Sequence, residues 1–167
     1  MREFYQSSWH GIKFRDVGAV SSKHLPSGEF YEKFYKIFDK KYKSLRDLDE
    51  SWLQLKAKAG RTIRENVSIQ HNDCVLSVGV GLGVIERELL KCGNFELHLH
   101  EINDASRRFF DDIVRDANIY FGQFPDCIPE GKKFDFVVLG GVEYCFSDGD
   151  FALVIESCQK VLKPGGH

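Results

Sequence analysis

The clearest chemical pattern in the chain is Val75-Leu76-Ser77-Val78-Gly79-Val80-Gly81-Leu82-Gly83, a short apolar run that leads into alternating glycines. Glycines spaced this way let the backbone bend sharply through positive φ, and let a bound molecule touch it with no Cβ between. A helix starting just after the bend would point its unpaired N–H groups at the same spot, which suits polar or anionic ligand atoms. About one β-α-β step further on stands Glu101. A carboxylate at the end of the next strand can accept hydrogen bonds from both hydroxyls of a ribose. Taken alone, the glycines also fit a tight packing turn, and Glu101 fits a solvated strand end. Their order and spacing together point to a nucleoside-containing ligand. The dinucleotide pattern G-x-G-x-x-G is not met, because the third glycine comes at Gly83 and position 84 is Val84. Beyond these, Glu143 in Val142-Glu143-Tyr144-Cys145 offers a general base or, more simply, a polar residue at a loop-to-helix junction.

These residues need strands and helices to hold them, and the hydrophobic periods supply both. From Asp73 onward, short apolar runs alternate with helical stretches, the signature of β-α-β units. Strands are expected at 74–78, 95–100, 118–121 and 134–139, with the last ending at Gly140-Gly141. A helix is expected from Val84 to Lys91, stopped by Gly93, and another after Asn103 or Asp104 carrying Phe109, Phe110 and Ile113. A final helix, opened by Ser147, Asp148 or Asp150, buries Phe151, Val154, Ile155, Cys158 and Leu162 before Pro164-Gly165-Gly166. Long connections require a mainly parallel, open α/β sheet, and ligands collect at the carboxyl ends of its strands. Residues 71–167 form this core. Residues 1–70 form an N-terminal arm and helical cap: an irregular stretch to Pro26-Ser27-Gly28, an aromatic helix through Phe30, Phe34 and Phe38, and a second helix through Leu48, Trp52, Leu55, Ala59 and Ile63.

Composition narrows the classes further. The chain has 167 residues and a formal net charge of −2, enough for one core and with no basic block to draw it to nucleic acid. No apolar run is long enough to span a bilayer and no leader pattern opens the chain, so a cytoplasmic location is expected. The cysteines Cys74, Cys92, Cys127, Cys145 and Cys158 form no C-x-x-C pair and read as reduced core residues. His98 and His100 share one strand face, but nothing in the sequence completes a metal site around them, so no metal is expected.

As a set, these segments resemble class I S-adenosylmethionine-dependent methyltransferases. Val75 to Gly83 is similar to their motif I, and Glu101 to their ribose-binding acid. Phe134-Asp135-Phe136-Val137-Val138-Leu139 is similar to their fourth strand, and Val161-Leu162-Lys163-Pro164-Gly165-Gly166 to the turn before their fifth. The resemblance implies a Rossmann-like fold and S-adenosylmethionine as cofactor. It places Gly79, Val80, Gly81 and Gly83 along the methionine and ribose part, with Ser77 beside them, and Ile102 on the adenine face. Gln123 and Phe124 would stand near the adenine amino group, and Gly140, Gly141 and Val142 would border the reactive methyl. Tyr31 and Tyr35, on the aromatic helix, are candidates to lid the cofactor.

Two departures stand out. Motif I usually has an acid where this chain has Ser77, so one charged contact is lost or supplied elsewhere. The family's fifth to seventh strands are also not present, which implies a fragment of a longer protein, or an edge shielded by another copy or by the N-terminal helices. Leu139-Gly140-Gly141-Val142 replaces the Asn/Asp-Pro-Pro-Tyr/Phe motif of many amino-methylating enzymes, which leans toward oxygen or another small-molecule acceptor. Three readings remain open at this point: a small-molecule methyltransferase, a non-catalytic cofactor-binding or interaction module, and a nicotinamide-dependent oxidoreductase, the last opposed by Val84.

Overall fold

The computed structural model describes residues 7–18, 27–142 and 148–167. Its centre is a four-stranded, all-parallel sheet in the order β5-β4-β3-β6, formed by β3 (Cys74–Val78), β4 (Glu96–Glu101), β5 (Ile119–Phe121) and β6 (Phe136–Leu139). The chain steps outward from β3 to β4 to β5, then returns to the other side of β3 to lay down β6. The strand order therefore reverses beside the carboxyl end of β3, the place where open α/β sheets form a crevice.

Helices cover both faces. On one, α2 (Glu50–Asn66) and α3 (Val84–Leu89) bury Ala59, Ile63, Ile85 and Leu89 against Val75, Leu97, Leu99 and Val138. On the other, α4 (Asp148–Val161) packs Cys158 and Val161 against Cys74, Leu76 and Val78. The even and odd residues of β3 thus serve different cores, as a two-residue period requires.

The aromatic helix is α1 (Gly28–Lys41), with the Ser27 hydroxyl accepting a hydrogen bond from the Phe30 N–H at its start. Asp49 caps α2 in the same way, through the Trp52 N–H. Phe34 and Phe38 are fully buried, each a contribution of about 2–3 kcal/mol.

Three expectations change. The arm before α1 is not wholly irregular: β1 (Ser8–Trp9) and β2 (Ile12–Lys13) form an antiparallel hairpin, turned at His10 and Gly11, both with positive φ, and a 3₁₀ turn follows at Phe14–Val17. Asparagine and glycine usually announce such a turn; a histidine at its first position hides it. The segment after Asn103 is a 3₁₀ helix, Asp104–Phe109, not an α-helix. Its apolar spacing over so short a stretch fits either ladder. Finally, the outer edge of β6 is partly paired, since the Val137 N–H donates to the His167 carbonyl and the His167 N–H to the Asp135 carbonyl. Among the described residues, no helix is long and apolar enough to cross a membrane.

Candidate functional site at the carboxyl ends of the strands

The bend after β3 adopts the conformation its glycines permit, with Gly79, Gly81 and Gly83 at φ of 71°, 61° and 70°. Backbone bonds tie it to the neighbouring strand: the Gly79 and Val80 N–H groups both donate to the His100 carbonyl. His100 also reaches the next strand, because its Nε2 lies 2.9 Å from the Gly122 carbonyl oxygen. Burial holds its pKa below the ordinary histidine range, so the ring is neutral and its Nε2–H donates. One residue thereby clips together the ends of β3, β4 and β5.

Glu101 adds the decisive charge. Its Oε2 accepts from the Gly81 N–H at 2.7 Å and its Oε1 from the Ile102 N–H at 2.9 Å. Burial pushes its pKa up, against the lowering effect of those two bonds. Among the described residues it has no cationic partner. A carboxylate offers about four acceptor positions, so two N–H bonds leave about two for a ligand.

These groups line a cavity of about 270 Å³. Of the residues singled out in the sequence, it brings together Gly79, Gly81, Glu101, Ile102, Gln123, Phe124, Gly141, Val142, Tyr31 and Tyr35. Val142 lies over the first glycine so closely that a Cβ on Gly79 would stand 2.1 Å from its Cγ1. The bend is open instead at Gly81, where a Cβ would meet nothing nearer than the Tyr35 hydroxyl at 3.8 Å.

Other expected residues lie elsewhere. Ser77 faces the opposite side of the strand, fully buried, and donates to Glu86 Oε1 at 2.5 Å. The acid missing from position 77 therefore has a near neighbour on α3, whose pKa is raised to about 7, mainly by burial. Gly83 also turns away, since a Cβ there would stand 2.8 Å from the Cβ of Phe110. Val80 and Gly140 line a smaller adjoining chamber. Glu143 lies outside the described residues.

Sequence reasoning missed Trp9, Ser27, Gly28, Val78, His100 and Val154 as cavity walls. Trp9 and Val154 are carried in by elements far away in the chain. His100 carries a usable signal, since it precedes Glu101 at the carboxyl end of the same strand.

At the other end of the sheet the expectation of an isolated histidine pair also changes. Donor atoms of Cys74, Glu96 and His98 lie within 4.8 Å of one another, because strand pairing sets Cys74 opposite Glu96. The Lys132 ammonium stands 3.7 Å from Glu96, and the Tyr120 hydroxyl 2.9 Å from His98 Nδ1.

No family model and no curated protein matches this sequence. Solved structures do share its architecture. A Methanococcus maripaludis protein assigned as an S-adenosyl-L-methionine-dependent methyltransferase superposes with a TM-score of 0.55 at 18% identity, over 81% of this chain and 60% of that one. The glycopeptide N-methyltransferase MtfA gives 0.54 at 18% identity, over 66% of this chain and 50% of its own. DesVI of Streptomyces venezuelae gives 0.51 at 20% identity, over 66% and 48%. This chain thus spans roughly half to three fifths of the length of these structures. With a parallel sheet that reverses order beside β3 and a glycine bend at that point, the chain has the Rossmann-like fold of the class I methyltransferases.

Proposed function

We propose that this chain binds S-adenosylmethionine and belongs to a methyltransferase that acts on a small molecule. The observation behind this reading is the meeting of Glu101, a carboxylate without a cationic partner among the described residues, and the bare backbone of Gly81 in one cavity at the point where strand order reverses. The residues fit the group: the open side of Gly81 is a cradle that a side chain would fill, and Glu101 has acceptor positions left for two hydroxyls.

When bound, the cofactor supplies an electrophilic methyl group on a sulfonium sulfur. What remains for the protein is alignment and the exclusion of water. Glu101 accepts the ribose hydroxyls, and its bonds to Gly81 and Ile102 keep the bend and the strand end in register. Ile102 and Phe124 pack on the adenine, and the Gln123 amide hydrogen-bonds its polar edge. Tyr31 and Tyr35 close the cavity from α1, and Gly141 and Val142 border the acceptor side. An acceptor that arrives protonated requires a base, and Glu143, next in the chain after Val142, is our candidate.

Calorimetry with S-adenosylmethionine, S-adenosylhomocysteine and NAD tests the reading. Binding of the two adenosyl sulfur compounds and not of NAD is the expected outcome, with Glu101→Ala weakening both by about a hundredfold through the loss of two charge-assisted bonds. Binding of none of the three would leave a non-catalytic interaction module, and binding of NAD alone an oxidoreductase. Unchanged affinity in Glu101→Ala would remove the ribose assignment.

A further inference from the structure

The smaller chamber, of about 60 Å³, opens off the main cavity and shares Trp9, Gly79, Gly81 and Gly141 with it. Its outer wall is α2, through Trp52 and Lys56. This helix is held close to α3 at Gly60, where a Cβ would stand 2.6 Å from the Cβ of Glu88. Lys56, one turn earlier, is thereby fixed over the glycine bend, its ammonium so near Gly141 that a Cβ there would lie 2.7 Å from Nζ.

Lys56 is partly buried, and among the described residues it has no carboxylate within 4.0 Å. The buried Glu86 feels its charge, but the two lie beyond ion-pair distance. An ammonium in a chamber that Trp9 and Trp52 also line, with three donors and no acceptor of its own, calls for an anion. A phosphate has little room in a chamber this small, whereas a planar carboxylate needs less.

We propose that Lys56 is the receptor for a carboxylate in this smaller chamber. The inference rests on the proposed cofactor reading and deepens it. The carboxylate has two possible sources: the amino-acid end of the adenosyl cofactor, extending past Gly79, or an acid group on the methyl acceptor.

The experiment compares wild type, Lys56→Met and Lys56→Arg by calorimetry with S-adenosylhomocysteine and with 5′-methylthioadenosine, which keeps the nucleoside and thioether but lacks the amino-acid end. A second arm follows Trp fluorescence on titration with benzoate, with and without saturating S-adenosylhomocysteine. If the cofactor is the source, Lys56→Met weakens S-adenosylhomocysteine at least about tenfold and 5′-methylthioadenosine less than twofold, while Lys56→Arg restores most of the loss. If the acceptor is the source, both nucleosides bind Lys56→Met as well as wild type, but benzoate quenching of the loaded protein disappears. Equal weakening of both nucleosides, or no change in any titration, overturns the proposal. Wild-type protein that binds neither nucleoside defeats the cofactor reading instead, and the benzoate arm on the free protein then decides the role of Lys56 by itself.

Discussion

Strand β4 begins and ends with a glutamate, and the two could hardly be placed more differently. Glu96, at the amino end, is half exposed and stands 2.9 Å from His98 Nε2 and 3.7 Å from Lys132. Glu101, at the carboxyl end, meets backbone N–H groups and no side-chain cation among the described residues. A carboxylate beside a lysine ammonium has its charge spent within the fold. One held by backbone dipoles keeps both charge and acceptor positions for something else, at the cost of its desolvation. The same contrast runs across the sheet: around Cys74 the polar groups answer one another, while around Gly81 they face a cavity. The polar capacity left over lies at the carboxyl end of the strand.

The sharpest way to break that contrast is to close the bend. Gly79→Ala meets two costs together, a left-handed φ of 71° and a Cβ 2.1 Å from Val142 Cγ1. We expect a loss of about 2–5 kcal/mol in unfolding free energy, from strain of about 1–2 and overpacking of about 1–3. Chemical denaturation measures it. Adding Val142→Ala should recover the packing part and leave the strain, so a double variant no more stable than the single would show that Val142 is not what closes on Gly79.

How much of this could be read beforehand follows from the range of the interactions. The glycine bend, Glu101 and the buried strand Cys74–Val78 were legible because local rules of φ, alternation and strand-end position govern them. Trp9 and Lys56 were not, since tertiary packing alone brings a hairpin and a distant helix to the bend. Ser77 is legible as a departure beside the cofactor, but not as a residue of the opposite strand face. Its partner Glu86 lies on the next helix, and only the packing of α3 on β3 shows that the two meet at 2.5 Å.

Glu86 gives the next largest effect and probes the polar group beneath the bend. Burial raises its pKa to about 7, opposed by the Ser77 hydroxyl and Lys56 and reinforced by Glu101. Below the unfolded value of 4.5, folded and unfolded chains both hold the proton, and this group adds no pH dependence. As the pH rises from there to about 7, the unfolded chain ionises first and the folded chain loses stability, by something on the order of 3 kcal/mol; above about 7 the loss levels off. Glu86→Gln should flatten that decline in a series of denaturant midpoints taken between pH 4 and 8. A variant whose midpoints fall as steeply as wild type would assign the slope to other groups, Glu101 first among them.

The smallest effect is expected at the amino end and serves as the control for the opposite glutamate. Glu96→Gln removes charge from a side chain that is 50% exposed, so water already screens its attraction to Lys132. The cost should be no more than about 1 kcal/mol, as for other surface pairs. Affinity for S-adenosylhomocysteine should stay within twofold of wild type, against the hundredfold loss expected from Glu101→Ala, because β4 carries no ligand-facing side chain at its start. If Glu96→Gln weakens nucleoside binding as strongly as the change at Glu101, the two strand ends are coupled through the sheet. The division of labour along β4 would then have to be abandoned.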